Sequence, residues 1–153
     1  EFSDLSNIAI VGIQTRGVEI AKRIKKHLEK NSGKEIKMGT LDITFYRDDL
    51  ATRGMLPAIK ETTITFNITK KIIILVDDVL FTGRTIKAAL ETLMSFGRPQ
   101  IIRLAILVDR GNRELPIQPD YCGLKIQTKI GDKVKVRLKE TDGIEDTVLY
   151  CTE

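Results

Sequence analysis

The residues best suited to chemistry lie in one segment, residues 73–85, with the sequence IILVDDVLFTGRT. An apolar run ends in two neighbouring carboxylates, Asp77 and Asp78, and a Thr82-Gly83 turn precedes the next helical pattern. Adjacent carboxylates can accept hydrogen bonds from vicinal hydroxyls. A glycine at a helix start lets backbone amides approach a phosphate, which the helix dipole also favours. This spacing indicates a ligand with a diol and a phosphate, such as a ribose 5-phosphate.

Other phosphate-binding motifs do not fit this segment. The Gly-Lys-Ser/Thr of a Walker loop does not follow the strand, and the Gly-x-Gly-x-x-Gly fingerprint of dinucleotide sites is absent. The remaining alternative is an ordinary strand–helix turn with incidental acids. Two adjacent aspartates after a buried strand gain nothing structural from losing their hydration, and this favours the binding interpretation.

Two further segments place polar groups at predicted strand ends. Residues 12–17 (GIQTRG) join a strand to a helix and carry Arg16 beside Gly17, which is a second candidate anion cradle. Residues 107–116 (LVDRGNRELP) place Asp109 at the end of another strand. A tight turn or a solvated turn is the structural alternative for each segment.

The elements that must position these residues follow from the hydrophobic pattern. Apolar runs predict buried strands, and a stripe of apolar residues at helical spacing predicts a helix that covers a sheet. Residues 62–68 alternate partly and predict a second hairpin arm, whereas residues 47–57 predict a mobile surface loop. The order of strands and helices predicts an α/β fold with a mainly parallel central sheet in one domain, residues 1–153. The predicted strands are residues 7–13, part of 36–46, 72–76, 101–108 and 133–138, and the predicted helices are residues 17–30 and 82–96.

Composition limits the class of protein. The chain has 153 residues, 42% apolar and 30% charged, which is typical of a globular domain with its own core. No apolar run reaches the length of a membrane helix, and no secretory signal opens the chain. Cys122 and Cys151 lack metal-ligand spacing, so we expect reduced thiols in the cytoplasm. The formal charge of +4 suits a phosphate ligand or RNA without selecting either.

The segment 73–85 resembles the phosphoribosyl pyrophosphate (PRPP) signature of type I phosphoribosyltransferases. The acids, the following Val79-Leu80-Phe81 and Arg84 after the glycine are most similar to the bifunctional pyrimidine operon attenuation regulators / uracil phosphoribosyltransferases. The resemblance implies the type I fold with helices flanking the sheet and a small base-binding hood. It also implies transfer of ribosyl phosphate from PRPP to uracil, with Mg²⁺ bound mainly through PRPP, and sensing of UMP or UTP. The implied partners are pyrimidine operon mRNA and further copies of the chain, as a homodimer or higher oligomer.

The resemblance also implies roles for individual residues. Arg47 matches the arginine of a flexible loop that reaches the pyrophosphate, and Asp78 is the candidate proton acceptor or cation stabiliser. Both acids can reach one ribose only if the chain has left the regular strand, because neighbours on a strand face opposite sides. Neither a covalent nucleophile nor a metal site built from protein ligands alone is expected. The implied substrate-binding residues are Thr15, Arg16, Asp77, Asp78, Val79, Leu80, Phe81, Thr82, Gly83, Arg84, Thr85 and Asp109.

The sequence departs from this family at places that bear on RNA binding. The family carries a helix before the first strand, and this chain starts almost at that strand. Asn112 and Gln118 stand where basic residues are expected. The RNA-binding candidates are Arg110, Arg113 and Lys133, and an ordinary solvated strand is the alternative for the basic residues 133–138. A purine phosphoribosyltransferase and a catalytically weak nucleotide-sensing RNA-binding regulator remain alternative functions.

Overall fold

A computed structural model describes residues 2–44 and 62–152 of the chain. Five parallel strands form the main sheet in the order β2-β1-β3-β4-β5. The predicted α/β class with a parallel sheet is therefore confirmed. The five strands are β1 (Ile8–Ile13), β2 (Lys37–Leu41), β3 (Ile72–Leu80), β4 (Ile101–Asp109) and β5 (Tyr121–Lys125).

Helices and one antiparallel pair complete the fold. A 3₁₀ turn at Leu5–Asn7 precedes the first strand. Within the described residues, no helix combines the length and the apolar character that crossing a membrane requires. The remaining elements are α1 (Arg16–Ser32), α2 (Arg84–Met94), α3 (Lys139–Asp142) and an antiparallel pair of strands, β6 (Lys133–Arg137) and β7 (Thr147–Cys151).

The sheet is buried on both faces, as the apolar runs of its central strands predict. One hydrophobic cluster joins Ile73 and Leu75 of β3 to Leu93 of α2. A second cluster joins Ile74 of β3 to Ala21 of α1. The two helices therefore cover opposite faces of the sheet, and the first turn of each helix lies at the edge where the parallel strands end.

Two predicted features differ from the structure. Residues 62–68 form no strand, and only an isolated antiparallel bridge links Thr63 to Thr40. The alternation there is too short to specify a strand, although β2 is the edge strand of the sheet and its other side carries the bridge. Strand β5 was missed because it lies at the sheet edge with Tyr121 and Leu124 exposed, and so lacks an apolar run. The predicted loop 47–57 lies outside the described residues.

Strand β3 extends further than the sequence predicted, but its side-chain alternation is interrupted at the two acids. Pairing with β4 continues to Leu80. Leu75 and Leu80 pack into the same cluster although they are an odd number of positions apart (i and i+5), which would place them on opposite faces of a regular strand. The backbone N–H of Asp78 donates to Oδ1 of Asp77 at 2.9 Å, and that of Val79 donates to Oδ1 of Asp78 at 2.9 Å. The acids therefore occupy an irregular stretch of the strand.

Helix α1 approaches the sheet closely because glycines lie where the helix and the strands touch. A Cβ placed on Gly12 of β1 would lie 2.6 Å from Cα of Val18, and one on Gly17 would lie 2.6 Å from the carbonyl oxygen of Val76. Real side chains do not tolerate such distances. The first turn of α1 is thereby fixed against the ends of β1 and β3.

We expect Gly17→Ala to destabilise the fold by about 1–3 kcal/mol, because the added methyl group would overlap the backbone of Val76. Helix propensity alone predicts the opposite sign, a gain of up to about 1 kcal/mol. Urea unfolding of the variant measures the difference. The control is Lys26→Ala on the exposed face of α1, which should change the free energy of unfolding by less than about 0.5 kcal/mol.

Candidate functional site

The carboxyl ends of β1, β3 and β4 bring the predicted site residues to one edge of the sheet, where open α/β sheets bind ligands. The loop after β1 meets the acidic pair directly. A Cβ on Gly17 would lie 3.2 Å from Oδ1 of Asp77. Two segments that are about sixty residues apart in sequence therefore form one local surface, with an acidic side and a helix start.

Both acids are buried, with Asp77 1% and Asp78 8% exposed. Asp77 nevertheless faces the first turn of α1 at Gly17 and is not enclosed by apolar side chains alone. Removing carboxylates from water is unfavourable unless hydrogen bonds or cations compensate. Each acid accepts one hydrogen bond from the following backbone N–H. This arrangement is typical of acids retained to bind a ligand.

The Thr-Gly turn after β3 is anchored from behind. The carbonyl oxygen of Thr82 accepts hydrogen bonds from the N–H groups of Glu114 at 2.9 Å and Leu115 at 3.2 Å. Gly83 has a φ of 95°, in the left-handed region that favours glycine. It is the N-cap residue of α2 and supplies no capping side chain to the first turn. The start of α2 is thus a suitable anion-binding position.

Arg113 fixes the residue before this turn. Its guanidinium Nη1 donates to the carbonyl oxygen of Phe81 at 2.8 Å, and Nε donates to that of Ile117 at 2.8 Å. Nη2 donates to both carboxylate oxygens of Asp109, at 2.9 and 2.8 Å. Asp109 also accepts from the N–H of Gly111 at 3.0 Å. The ion pair with Asp109 therefore orients the Arg113 guanidinium, whose hydrogen bond to Phe81 joins the segment after β4 to the segment after β3.

Comparison with known proteins identifies the family of the chain. The phosphoribosyl transferase domain family matches residues 2–141. The bifunctional protein PyrR of Thermus thermophilus is 52% identical over 146 residues, which cover 95% of this chain and 81% of that protein. PyrR of Chloroflexus aurantiacus is 48% identical over 145 residues, which cover 95% of this chain and 80% of that protein.

The chain belongs to the PyrR family of phosphoribosyl transferase domain proteins. Solved structures agree on the fold. A purine phosphoribosyltransferase from Pyrococcus horikoshii has a TM-score of 0.57 and 26% identity, covering 78% of this chain and 70% of that one. A hypoxanthine-guanine-xanthine phosphoribosyltransferase has a TM-score of 0.60 at 20% identity, covering 82% of this chain and 67% of that one. The predicted type I phosphoribosyltransferase fold is therefore confirmed.

Several residues predicted to bind substrate in this PyrR-family chain have protein partners. Arg16 donates from Nη2 to Asp142 at 2.6 Å and from Nε at 3.2 Å. This contact, followed by the N–H of Leu138, holds the pKa of the Asp142 carboxyl below its usual value. Arg84 forms an exposed ion pair with Glu114 at 2.6 Å. Both arginines would have to exchange a carboxylate for a ligand.

Two other predicted site residues are Thr15 and Arg47. Thr15 is the N-cap residue of α1 and supplies no capping hydrogen bond from its side chain, and the peptide bond that precedes it is cis. Arg47 lies outside the described residues. Within the residues that the structure describes, no three His, Cys, Asp or Glu side chains are grouped as metal ligands.

The burial of two arginines disagrees with their predicted contact with RNA. Arg110 is 7% exposed, and the Arg113 side chain is 13% exposed and bound to Asp109. Lys133 is exposed on β6. Asn112 and Gln118, which replace expected basic residues, also bond inside the protein, to Thr128 and Arg113. Sequence reasoning placed these arginines at a strand end, but it had no signal for the carbonyl groups that they bind.

We expect Arg113→Met to lower the free energy of unfolding by about 3 kcal/mol, because it leaves the buried Asp109 carboxylate without its cation. Arg84→Met is the matched control, since it removes an exposed arginine–carboxylate pair beside the same turn. The control should cost less than about 1 kcal/mol. Chemical denaturation of both variants gives the comparison, and equal losses would show that Arg113 has no special structural role.

Proposed function

We propose that the chain transfers the ribosyl phosphate of PRPP to uracil, forming UMP and pyrophosphate. It also regulates pyrimidine biosynthesis genes by binding mRNA and promoting transcription attenuation. The observation that carries the enzymatic part is the convergence of Asp77, Asp78 and the Thr82-Gly83 turn at the sheet edge, beside the first turn of α1 at Gly17. Membership of the PyrR family, whose members are named bifunctional, supports the regulatory part.

The ligand is held at its two ends. The carboxylates of Asp77 and Asp78 accept hydrogen bonds from the ribose hydroxyls, with Val79 and Leu80 beside them. The backbone amides and hydroxyls of the turn and the first residues of α2 bind the 5-phosphate. The interrupted alternation of β3 supports this assignment. Neighbouring side chains on a regular strand face opposite sides, whereas an irregular stretch lets both acids reach one ribose. The phosphate-binding residues are Phe81, Thr82, Gly83, Arg84 and Thr85.

Catalysis depends on stabilising charge on the departing pyrophosphate while the ribose acquires positive charge. Thr15 and Arg16 bind the pyrophosphate from the loop after β1, and Arg47 binds it from the predicted lid. Mg²⁺ would be held mainly by the phosphates of PRPP, with at most one or two protein carboxylates, and would supply positive charge beside the same group. Asp78 stabilises the cationic ribose or accepts a proton. Asp109, held by Arg113, positions the segment that lines the base.

Arg16 exchanges partners during this reaction. Its guanidinium binds Asp142 in two hydrogen bonds, and pyrophosphate presents the same kind of paired oxygen acceptors. The Arg16 side chain is about one-third exposed, so solvent screening lowers the free energy needed to break its pair with Asp142.

A purine base is the competing substrate. Solved purine phosphoribosyltransferases share the fold, but at 26% identity or less among the two compared, whereas PyrR proteins share about half of all residues. Measuring pyrophosphate release from PRPP and Mg²⁺ with uracil and, separately, with hypoxanthine distinguishes the two. Release with hypoxanthine alone would overturn the choice of uracil and keep the transferase.

We predict that Asp78→Asn lowers kcat for UMP formation by about a hundredfold, because it removes the carboxylate that faces the developing cation or takes the proton. Glu91→Gln, on the exposed face of α2, is the control and should retain full activity. Initial rates with saturating uracil and PRPP provide the measurement. Unchanged kcat in Asp78→Asn would remove this residue from the catalytic role.

RNA binding uses an exposed basic strand in this proposal. Lys133, Lys135 and Arg137 alternate along β6 with the half-buried or buried Val134 and Val136, so the three cations share one face. Evenly spaced cations on a strand match the repeat of a phosphate backbone. Arg110, which is buried, and Arg113, which is paired with Asp109, lie outside this strand.

We expect Lys135→Ala to weaken binding of pyrimidine operon mRNA and to reduce the slope of log affinity against log salt by about 1, because one phosphate contact is lost. Lys87→Ala on α2 is the matched control and should leave the slope unchanged. Filter binding over a range of salt concentrations provides both values. A salt-independent affinity in the unaltered chain would contradict the RNA-binding proposal.

Two further proposals concern assembly and location. The chain forms a homodimer or a higher homo-oligomer, and the exposed Tyr121 and Leu124 on edge strand β5 support this. Light scattering of the purified chain tests it. The two free cysteines, Cys122 and Cys151, support a reducing, cytoplasmic location.

A further inference from the structure

A buried arginine packs against the middle of the phosphate-binding segment. The guanidinium carbon of Arg110 lies 3.9 Å from the ring centroid of Phe81. Its backbone N–H donates to the carbonyl oxygen of Leu80 at 3.0 Å. Phe81 lies between the acidic pair and the turn at Thr82. The contact with Arg110 is therefore made at the residue that joins the two parts of the proposed sugar-phosphate site.

The plane of the Arg110 guanidinium is fixed by acceptors on the segment that precedes β6. Nε donates to Oγ1 of Thr128 at 3.2 Å, and Nη2 donates to the carbonyl oxygens of Asp132 at 2.7 Å and Lys129 at 3.3 Å. Oγ1 of Thr128 in turn donates to the carbonyl oxygen of Arg110 at 2.9 Å. The stacked ring therefore rests on a rigid support.

The support extends to the last strand of the structure. The Asp132 carboxylate is buried, and its Oδ2 accepts hydrogen bonds from the N–H of Lys129 and from the hydroxyl of Tyr150, both at 2.7 Å. Tyr150 belongs to β7. A continuous chain of contacts thus runs from β7 through the turn at Lys129 and Asp132 to Arg110 and the ring of Phe81.

We propose that Arg110 is a positioning residue for phosphoribosyl binding, which acts through Phe81 to hold the acids and the Thr82-Gly83 turn in their binding geometry. The identity of the ligand rests on the proposed function. Desolvating an arginine is unfavourable, and an aliphatic side chain would fill the same space without that cost. Arginine supplies a flat cation that stacks on an aromatic ring while it bonds in its own plane, which lysine cannot do.

The test is a double-mutant cycle on PRPP affinity, measured by isothermal titration with PRPP and Mg²⁺. Arg110→Met is expected to weaken binding roughly tenfold, which lies between the values for an exposed and a desolvated cation–π contact. Phe81→Leu should weaken it similarly, and the double variant should be no weaker than either single one. Arg103→Met, on the strand β4 that precedes Arg110, is the matched control and should retain full affinity.

Arg110→Lys provides the second variant if Arg110→Met does not fold, because it keeps the charge and loses the stacked plane. Two results would overturn the positioning role. One is a double variant whose loss of PRPP affinity is the product of the two single losses. The other is a variant with a lowered melting temperature whose PRPP affinity stays within about twofold of that of the unaltered chain. If the double-mutant cycle gives the expected result but the chain does not convert uracil to UMP, the proposed base is wrong and the role of Arg110 stands. An unaltered chain that fails to bind PRPP would overturn both.

Discussion

The structure depends on keeping two neighbouring carboxylates out of water at the end of an apolar strand. Asp77 and Asp78 are almost fully buried, where a bare carboxylate is unfavourable by several kcal/mol. The strand compensates by turning each side chain onto the next backbone N–H. Gly17 completes the arrangement, because only a residue without a side chain lets the start of α1 contact Asp77. A ligand rich in hydroxyls is a suitable partner for acids held in this way.

The loops around this acidic centre are held mainly by arginines. Arg113 donates to the carbonyl oxygen of Phe81, and Arg110 stacks on the ring of Phe81. Two residues of the segment after β4 therefore contact the same residue of the segment after β3. Arginine suits both contacts because its planar fork donates several hydrogen bonds from a fixed geometry. Neither contact uses a backbone N–H of the Thr82-Gly83 turn, so the two arginines support this turn without occupying its amides.

The sequence predicted the parts of the fold that depend on local patterns. The apolar runs of β1, β3 and β4 and the stripes of α1 and α2 are long enough to identify those elements. The acids and the Thr82-Gly83 turn were recognised because strand, acids, glycine and helix follow one another directly along the chain. Sequence reasoning failed at residues 62–68, where a short alternation did not specify pairing, and at β5, whose edge position removes the apolar signal.

Long-range polar partners were also beyond prediction. Arg110 and Arg113 were assigned to RNA as part of a basic surface, whereas Arg110 is buried and the Arg113 side chain is bound to Asp109. Nothing local to Arg16 indicates that Asp142, more than a hundred residues later, is its partner. These contacts depend on where β6, β7 and α3 pack, and their short, mixed sequences carry little information about that position.

A crystal structure of the chain with bound UMP tests the central claim most directly. We predict ribose hydroxyl oxygens within about 3 Å of the carboxylates of Asp77 and Asp78. The 5-phosphate should lie on the N–H groups of residues 82–85. A nucleotide bound elsewhere, or a ribose with neither hydroxyl near the two acids, would contradict the account.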